Sequence, residues 1–150
     1  MTDEFVMEYR KDHNDNDYVL LGELELFDSY DNIVQKVIGN INIKGKAKNV
    51  IVELYLREGW EKPHVHLYNN ETGFKCAIRL DTNSYFIHGK YTDKLNDKQS
   101  KLFDEFMSKK IGPNNNTRWS YAVTSFNMEF PNHPIKTKNQ PKYSMLNYTT

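Results

Sequence analysis

The chain has 150 residues, one cysteine, and 20 basic against 20 acidic side chains, so its formal net charge is zero. That length fits a single domain with one core, the lone Cys76 rules out an internal disulfide or a cysteine-rich zinc site, and neutrality argues against a sequence-independent nucleic-acid binder. No uncharged apolar run is long enough for a membrane span or a signal-peptide core, so a cytoplasmic protein with no membrane partner is expected.

The first 31 residues carry 10 acids and 2 bases, a face that is either simply solvated or a docking surface for a basic partner. Phe5, Met7 and Tyr9 alternate with Val6, Glu8 and Arg10 as in a strand, and the Asp/Asn-rich stretch 12–17 around His13 turns the chain. Over residues 18–28, Leu20, Gly22, Leu24 and Leu26 fall on one face and Glu23 and Glu25 on the other, the period of a half-buried strand. Val37, Gly39, Ile41 and Ile43 repeat the pattern over 33–43, and 50–55 adds a β-branched run. Strands are also expected over 64–68, 74–80 and 85–87.

Past residue 95 the period changes. Leu95, Leu102, Phe103, Phe106 and Met107 recur at helical spacing, with Asn96 and Gln99 placed as a capping box, Lys109 and Lys110 at the negative end, and Gly112 and Pro113 as a stop. Residues 117–130 fit two patterns: Trp119, Ala122, Val123 and Phe126 make a helical face, whereas Ala122, Thr124, Phe126, Met128 and Phe130 make a strand face. Capping by Asn116 or Thr117 and termination by Pro131 favour the helix. From Pro131 onward three prolines, three lysines and no acids leave little to bury. The expected architecture is α+β: an N-terminal antiparallel sheet with one or two C-terminal helices packed on one face, residues 1–131 forming a single domain and 132–150 an extended or disordered basic tail.

One segment carries chemistry. In a strand through Pro63, His64, Val65, His66, Leu67 and Tyr68, the two imidazoles and Tyr68 share one face, with Cα atoms of the histidines about 7 Å apart. Pairing Tyr68 with Gly73 across a hairpin sets His66 beside Lys75 and His64 beside Ala77, with Arg79 near, while Val65 and Leu67 meet Cys76 and Phe74. A slip by one residue would bury the imidazoles among apolar groups, so segregation of polar from apolar favours the first register. The expected ligand-binding set is His64, His66, Tyr68, Lys75 and Arg79, a cationic patch open to solvent and suited to phosphate or carboxylate. His88 reads as a loop histidine that could complete a site, His133 as part of the tail, and Cys76 as a buried hydrophobe.

Lys62-Pro63-His64-Val65-His66, a following strand pair and a lysine-rich helix with Leu102, Phe103, Phe106 and Met107 are together similar, over residues 62–110, to small uncharacterised bacterial proteins with a Pro-Pro-His-Phe-His strand. Lys62 stands for the first proline and Val65 for the phenylalanine. Members often sit in toxin–antitoxin-like or mobile-element gene pairs, so the resemblance implies a compact α+β accessory protein and brings no catalytic residues. A bias of 16 lysines to 4 arginines with 17 asparagines matches AT-rich codons, as in a low-GC bacterium or its phage. The alternation also resembles histidine-triad nucleotide hydrolases, with Tyr68 in the third place. It is similar as well to a cupin motif at Gly59, His64, His66 and Glu71, although no second cupin motif follows.

The first expectation is a non-enzymatic binding protein, inhibitor or antitoxin-like, with no catalytic residue, metal or cofactor, whose partner is a protein or an anionic ligand; nucleic acid is possible but not favoured. The second is a hydrolase using His64 and His66 on a phosphoester, directly or through a divalent ion with Glu71 or His88 as additional ligand. The third is an acidic interaction surface or nucleic-acid mimic.

Overall fold

The computed structural model describes residues 18–27, 49–57, 59–111 and 116–149. The strands expected over 5–9 and 33–43, the stretch around His13, and Gly112 and Pro113 lie outside the described residues. Five strands, β1 (Tyr18–Glu25), β2 (Asn49–Tyr55), β3 (His64–Asn69), β4 (Phe74–Arg79) and β5 (Ser84–Phe86), lie side by side in chain order, each antiparallel to its neighbour. Helices α1 (Asp97–Ser108) and α2 (Arg118–Glu129) follow, joined through the short pair β6 (Lys110–Ile111) and β7 (Asn116–Thr117). A last strand, β8 (Asn147–Thr149), runs parallel to β5 at the sheet edge. The fold is α+β.

Alternation gives the sheet two unlike faces. On one, Val52, Leu54, Val65, Leu67, Cys76 and Ile78 are fully buried against Phe103 and Met107 of α1 and Trp119, Ala122, Val123 and Phe126 of α2. The other face carries Glu53, His64, His66, Tyr68, Lys75 and Arg79, as the cross-strand pairs Glu53 with His66, Tyr68 with Lys75 and His64 with Arg79 require.

The expected single alternation of β1 is interrupted. Leu20 opposes Glu53 and Gly22 opposes Val52, so Leu21 is an extra residue in a bulge and the faces exchange there. Leu20 therefore belongs with the histidine face, whereas Leu21, Leu24 and Leu26 join the core. Gly22, at φ 142°, takes a backbone conformation that a side chain would disfavour. The Leu21 carbonyl, turned out of the ladder, accepts from Arg118 Nε at 3.0 Å, and Arg118 Nη1 donates to the Phe106 carbonyl in the last turn of α1 at 3.1 Å. A buried guanidinium thus ties the bulge to a helix end whose carbonyls lack helical partners.

Both helices start where side chains cap them. Asn96 Oδ1 accepts from Gln99 N while Gln99 Oε1 accepts from Asn96 N, the reciprocal pair expected from the sequence. Thr117 Oγ1 accepts from Ser120 N, and residues 118–129 are helical. The strand alternative would have put Met128 on the face of Ala122, yet Met128 is 78 % exposed and Ala122 is buried.

Residues 132–150 were expected to have little to bury, and here the structure differs. The chain beyond Pro131 runs extended but anchored: Asn127 and Ile135 exchange side-chain and backbone hydrogen bonds at 2.7 and 3.2 Å. Tyr143, in a single 3-10 turn (Tyr143–Met145), is fully buried against Phe103, and its hydroxyl donates to the Leu80 carbonyl at 3.1 Å. Tyr143 and Ile135, with the partly buried Leu146 beside them, supply the apolar anchor that composition concealed.

Candidate metal centre

The β3–β4 hairpin pairs Tyr68 with Lys75, His66 with Ala77 and His64 with Arg79, two positions from the expected register. The cause is Asn69. Its Oδ1 accepts from the Glu71 and Thr72 amides and its carbonyl from Gly73 N, so the turn begins one residue later and the strand extends through Asn69. A shift of two preserves the faces, so the histidines stay opposite the core.

Neither ring faces solvent, contrary to expectation: His64 is 1 % and His66 4 % exposed. Aromatic side chains close over them. His66 lies between Tyr91, 3.9 Å away and nearly parallel, and Tyr55 at 5.1 Å; the Phe86 ring meets His64 edge-on at 4.5 Å. A third histidine completes the cluster. His88 stacks on Phe86 at 4.4 Å, and the turn after it, with Gly89 at φ 55°, bridges His88 to Tyr91. That turn is pinned to the sheet because Asp93 N donates to the Lys75 carbonyl and Lys75 N donates to the Asp93 carboxylate.

The three rings point nitrogen to nitrogen. His66 Nε2 lies 3.0 Å from His64 Nε2 and 3.1 Å from His88 Nε2, and the ligand atoms of the three residues all fall within 4.8 Å of one another. Among the described residues no cysteine, aspartate or glutamate joins this group.

Proton placement makes the convergence informative. His64 Nδ1 lies 2.7 Å from the Lys62 carbonyl, which can only accept, so Nδ1 carries the proton and, in the neutral ring, Nε2 presents a lone pair. If His66 Nε2 donates to that lone pair it has none left for His88. If it keeps its own lone pair, it faces that of His64. Because His66 Nε2 bears either a proton or a lone pair, it cannot make a linear hydrogen bond to both of the other nitrogens. A cation accepting all three lone pairs satisfies every one, and the bond from His64 to a main-chain carbonyl is the outer-shell contact that orients a metal-binding imidazole. Burial, together with the neighbouring imidazoles, lowers the pKa of His64 to about 4 and of His66 to about 3. These two rings are therefore neutral at pH 7, as metal ligation requires.

Of the five residues expected to bind ligand, His64 and His66 are at the centre. Lys75 is next to it, its Nζ 5.8 Å from the Tyr91 ring centre. Tyr68 and Arg79 share the face but engage elsewhere: Tyr68 donates to the Glu53 carboxylate at 2.9 Å, and Arg79 holds Asp81 through two hydrogen bonds of 2.9 and 2.8 Å. Burial, with Glu53 alongside, holds the Tyr68 phenol well above its ordinary pKa. Glu71 sits in the turn beyond Asn69, at the end of β3 away from His64, and His133 stacks on Trp60 at 3.6 Å.

Sequence reasoning described His88 as a loop histidine and offered it, beside Glu71, as an additional ligand only in the metal-dependent alternative. A signal existed: once Tyr85 pairs with Ile78 on the core face, parity places Ser84, Phe86 and His88 with the other histidines. Comparison of the chain with protein-family models, curated proteins and solved structures found no match.

Proposed function

We propose that this protein binds one divalent transition-metal ion, zinc foremost, through the Nε2 atoms of His64, His66 and His88, and that the ion binds and polarises an oxygen-donor ligand. The observation that carries this reading is the meeting of three imidazole Nε2 atoms, with the His64 proton held away on Nδ1 by the Lys62 carbonyl. Neutral imidazoles suit zinc and the neighbouring late transition metals, whereas calcium and magnesium prefer oxygen. Three protein ligands with one position left for water is the arrangement of zinc sites that activate ligands; four protein ligands mark structural ones. A phosphoester hydrolase is the enzymatic form of this reading, in which the ion acts as Lewis acid and lowers the pKa of bound water. The anion-binding role expected from the sequence is thereby moved from the imidazoles to the ion they hold.

The test is titration of the metal-free full chain with zinc, read by calorimetry and thermal unfolding. One equivalent should bind and raise the Tm, because a ligand that prefers the folded chain stabilises it by mass action. His88→Ala, which removes the least buried ligand, should weaken zinc binding at least tenfold while the chain still folds. Unchanged affinity in that variant, or no binding to the wild type, refutes the proposal.

A further inference from the structure

The rings that close over the histidine cluster are not held alike. Tyr55 and Phe86 stand on strands β2 and β5, whereas Tyr91, 3.9 Å from His66, stands on the turn that follows β5. His88 is on that turn as well, so the third ligand and part of the cover belong to one short stretch of chain. His64 and His66 are buried, yet Gly89, Lys90, Thr92 and Asp93 are exposed. A hydrated ion cannot pass between packed rings, so part of this wall must move to admit it. The stretch with the fewest buried groups opens at least cost.

Residues 88–93 are bonded as a strap. Both flanks are fixed: Phe86 ends β5, and Leu95 is buried with its amide and carbonyl both on the Tyr85 hydroxyl, at 2.8 and 3.0 Å. Within the strap, Tyr91 N donates to the His88 carbonyl at 3.0 Å and Thr92 N to the Lys90 carbonyl at 3.1 Å, bonds that travel with it. A side chain on Gly89 would meet nothing within 4 Å, so glycine serves the left-handed turn there and not the packing. Lys75 of β4 does the fastening. Its carbonyl accepts from Asp93 N at 2.9 Å, its amide donates to the Asp93 carboxylate at 2.8 Å, and its Nζ stands 5.8 Å from the centre of the Tyr91 ring. The carboxylate bond is exposed, so water competes for both of its groups.

We infer, resting on the metal centre proposed above, that residues 88–93 are a strap whose opening admits and releases the ion, with Asp93 as its latch on β4. With the strap lifted, His64 and His66 stay on β3 as a pair of nitrogens 3.0 Å apart that meets the ion first. Closure then brings the third ligand and the Tyr91 ring together, because one turn carries both. The latch holds the strap to the sheet and is not a ligand. Weakening it therefore speeds passage in both directions and leaves the affinity nearly unchanged, since only a difference in interaction between the free and loaded states moves an equilibrium.

The experiment follows cobalt(II), whose visible bands report its coordination, entering the metal-free full chain in a stopped-flow mixer and leaving the loaded chain for excess chelator. The uptake rate should level off as the cobalt concentration rises, because opening precedes binding. Asp93→Ala should raise that plateau and the release rate at least fivefold each, with Kd within threefold of the wild type. Asp93→Asn removes the same charge but keeps an acceptor oxygen for the Lys75 amide, so both of its rates should stay within twofold of the wild type. Asp93 is exposed, and both variants should fold. Uptake that rises linearly to the highest concentration, Asp93→Ala rates equal to those of the wild type, or Asp93→Asn rates as fast as those of Asp93→Ala each overturn the strap while leaving the metal centre standing. A chain that takes up no cobalt overturns both.

Discussion

The Lys62 carbonyl fixes which nitrogen of His64 holds a proton, and that choice passes to His66 and His88, whose Nε2 atoms converge on the same point. Burial keeps the His64 and His66 rings uncharged, with a consequence for the metal-free chain. His64 and His66 titrate near 4 and 3 when folded, below the ordinary 6.5, so on acidification the unfolded chain takes up protons before the folded one. Stability is therefore fully present above about pH 6.5 and falls as the pH drops toward 4, by up to about 1.4 kcal/mol per pH unit for each ring. Urea unfolding of the metal-free protein between pH 7.5 and 5 should show that slope, and His66→Gln should make it shallower. An equal slope in the variant would mean that His66 is not held neutral by the fold.

Among the elements, α1 was the most legible, because Asn96, Gln99 and the spacing of Phe103, Phe106 and Met107 all act within a few residues of one another. The paired strands β3 and β4 were legible as to face and not as to register: alternation decides the face, but the register depends on where Asn69 starts the turn. The bulge in β1 hid for a related reason, since an unbroken run of leucines fits either parity until a partner strand shows that Leu21 is the extra residue. The last segment was obscured by its prolines and lysines, which mask the single aromatic that anchors it. Tyr143 packs on Phe103 of α1, its amide donates to Asp104 at 2.9 Å, and β8 adds to the sheet beyond it. Tyr143→Ala should therefore cost about 3 kcal/mol or more in denaturant unfolding, the usual loss for a large buried aromatic. A cost below about 0.5 kcal/mol would mark residues 132–149 as a dispensable arm.

For the molecule as a whole, the sheet separates folding from chemistry. Its apolar face is covered by both helices and Tyr143, while its polar face gathers histidines from β3 and from the segment after β5, with β4 lying between those two strands. His64 and His66 could be read as a pair from alternation alone, but the third ligand required the chain to cross β4 and turn back at Gly89. The two histidines were expected to face solvent because the rings that cover them, Tyr55, Phe86 and Tyr91, are distant in sequence and come together only in the folded sheet. The most direct measurement of the central claim is zinc K-edge X-ray absorption on the full chain loaded with one equivalent. The account predicts three imidazole nitrogens at about 2.0–2.1 Å and one further light-atom ligand. A shell of oxygens alone, or the same spectrum from a variant lacking His64, His66 and His88, would contradict it.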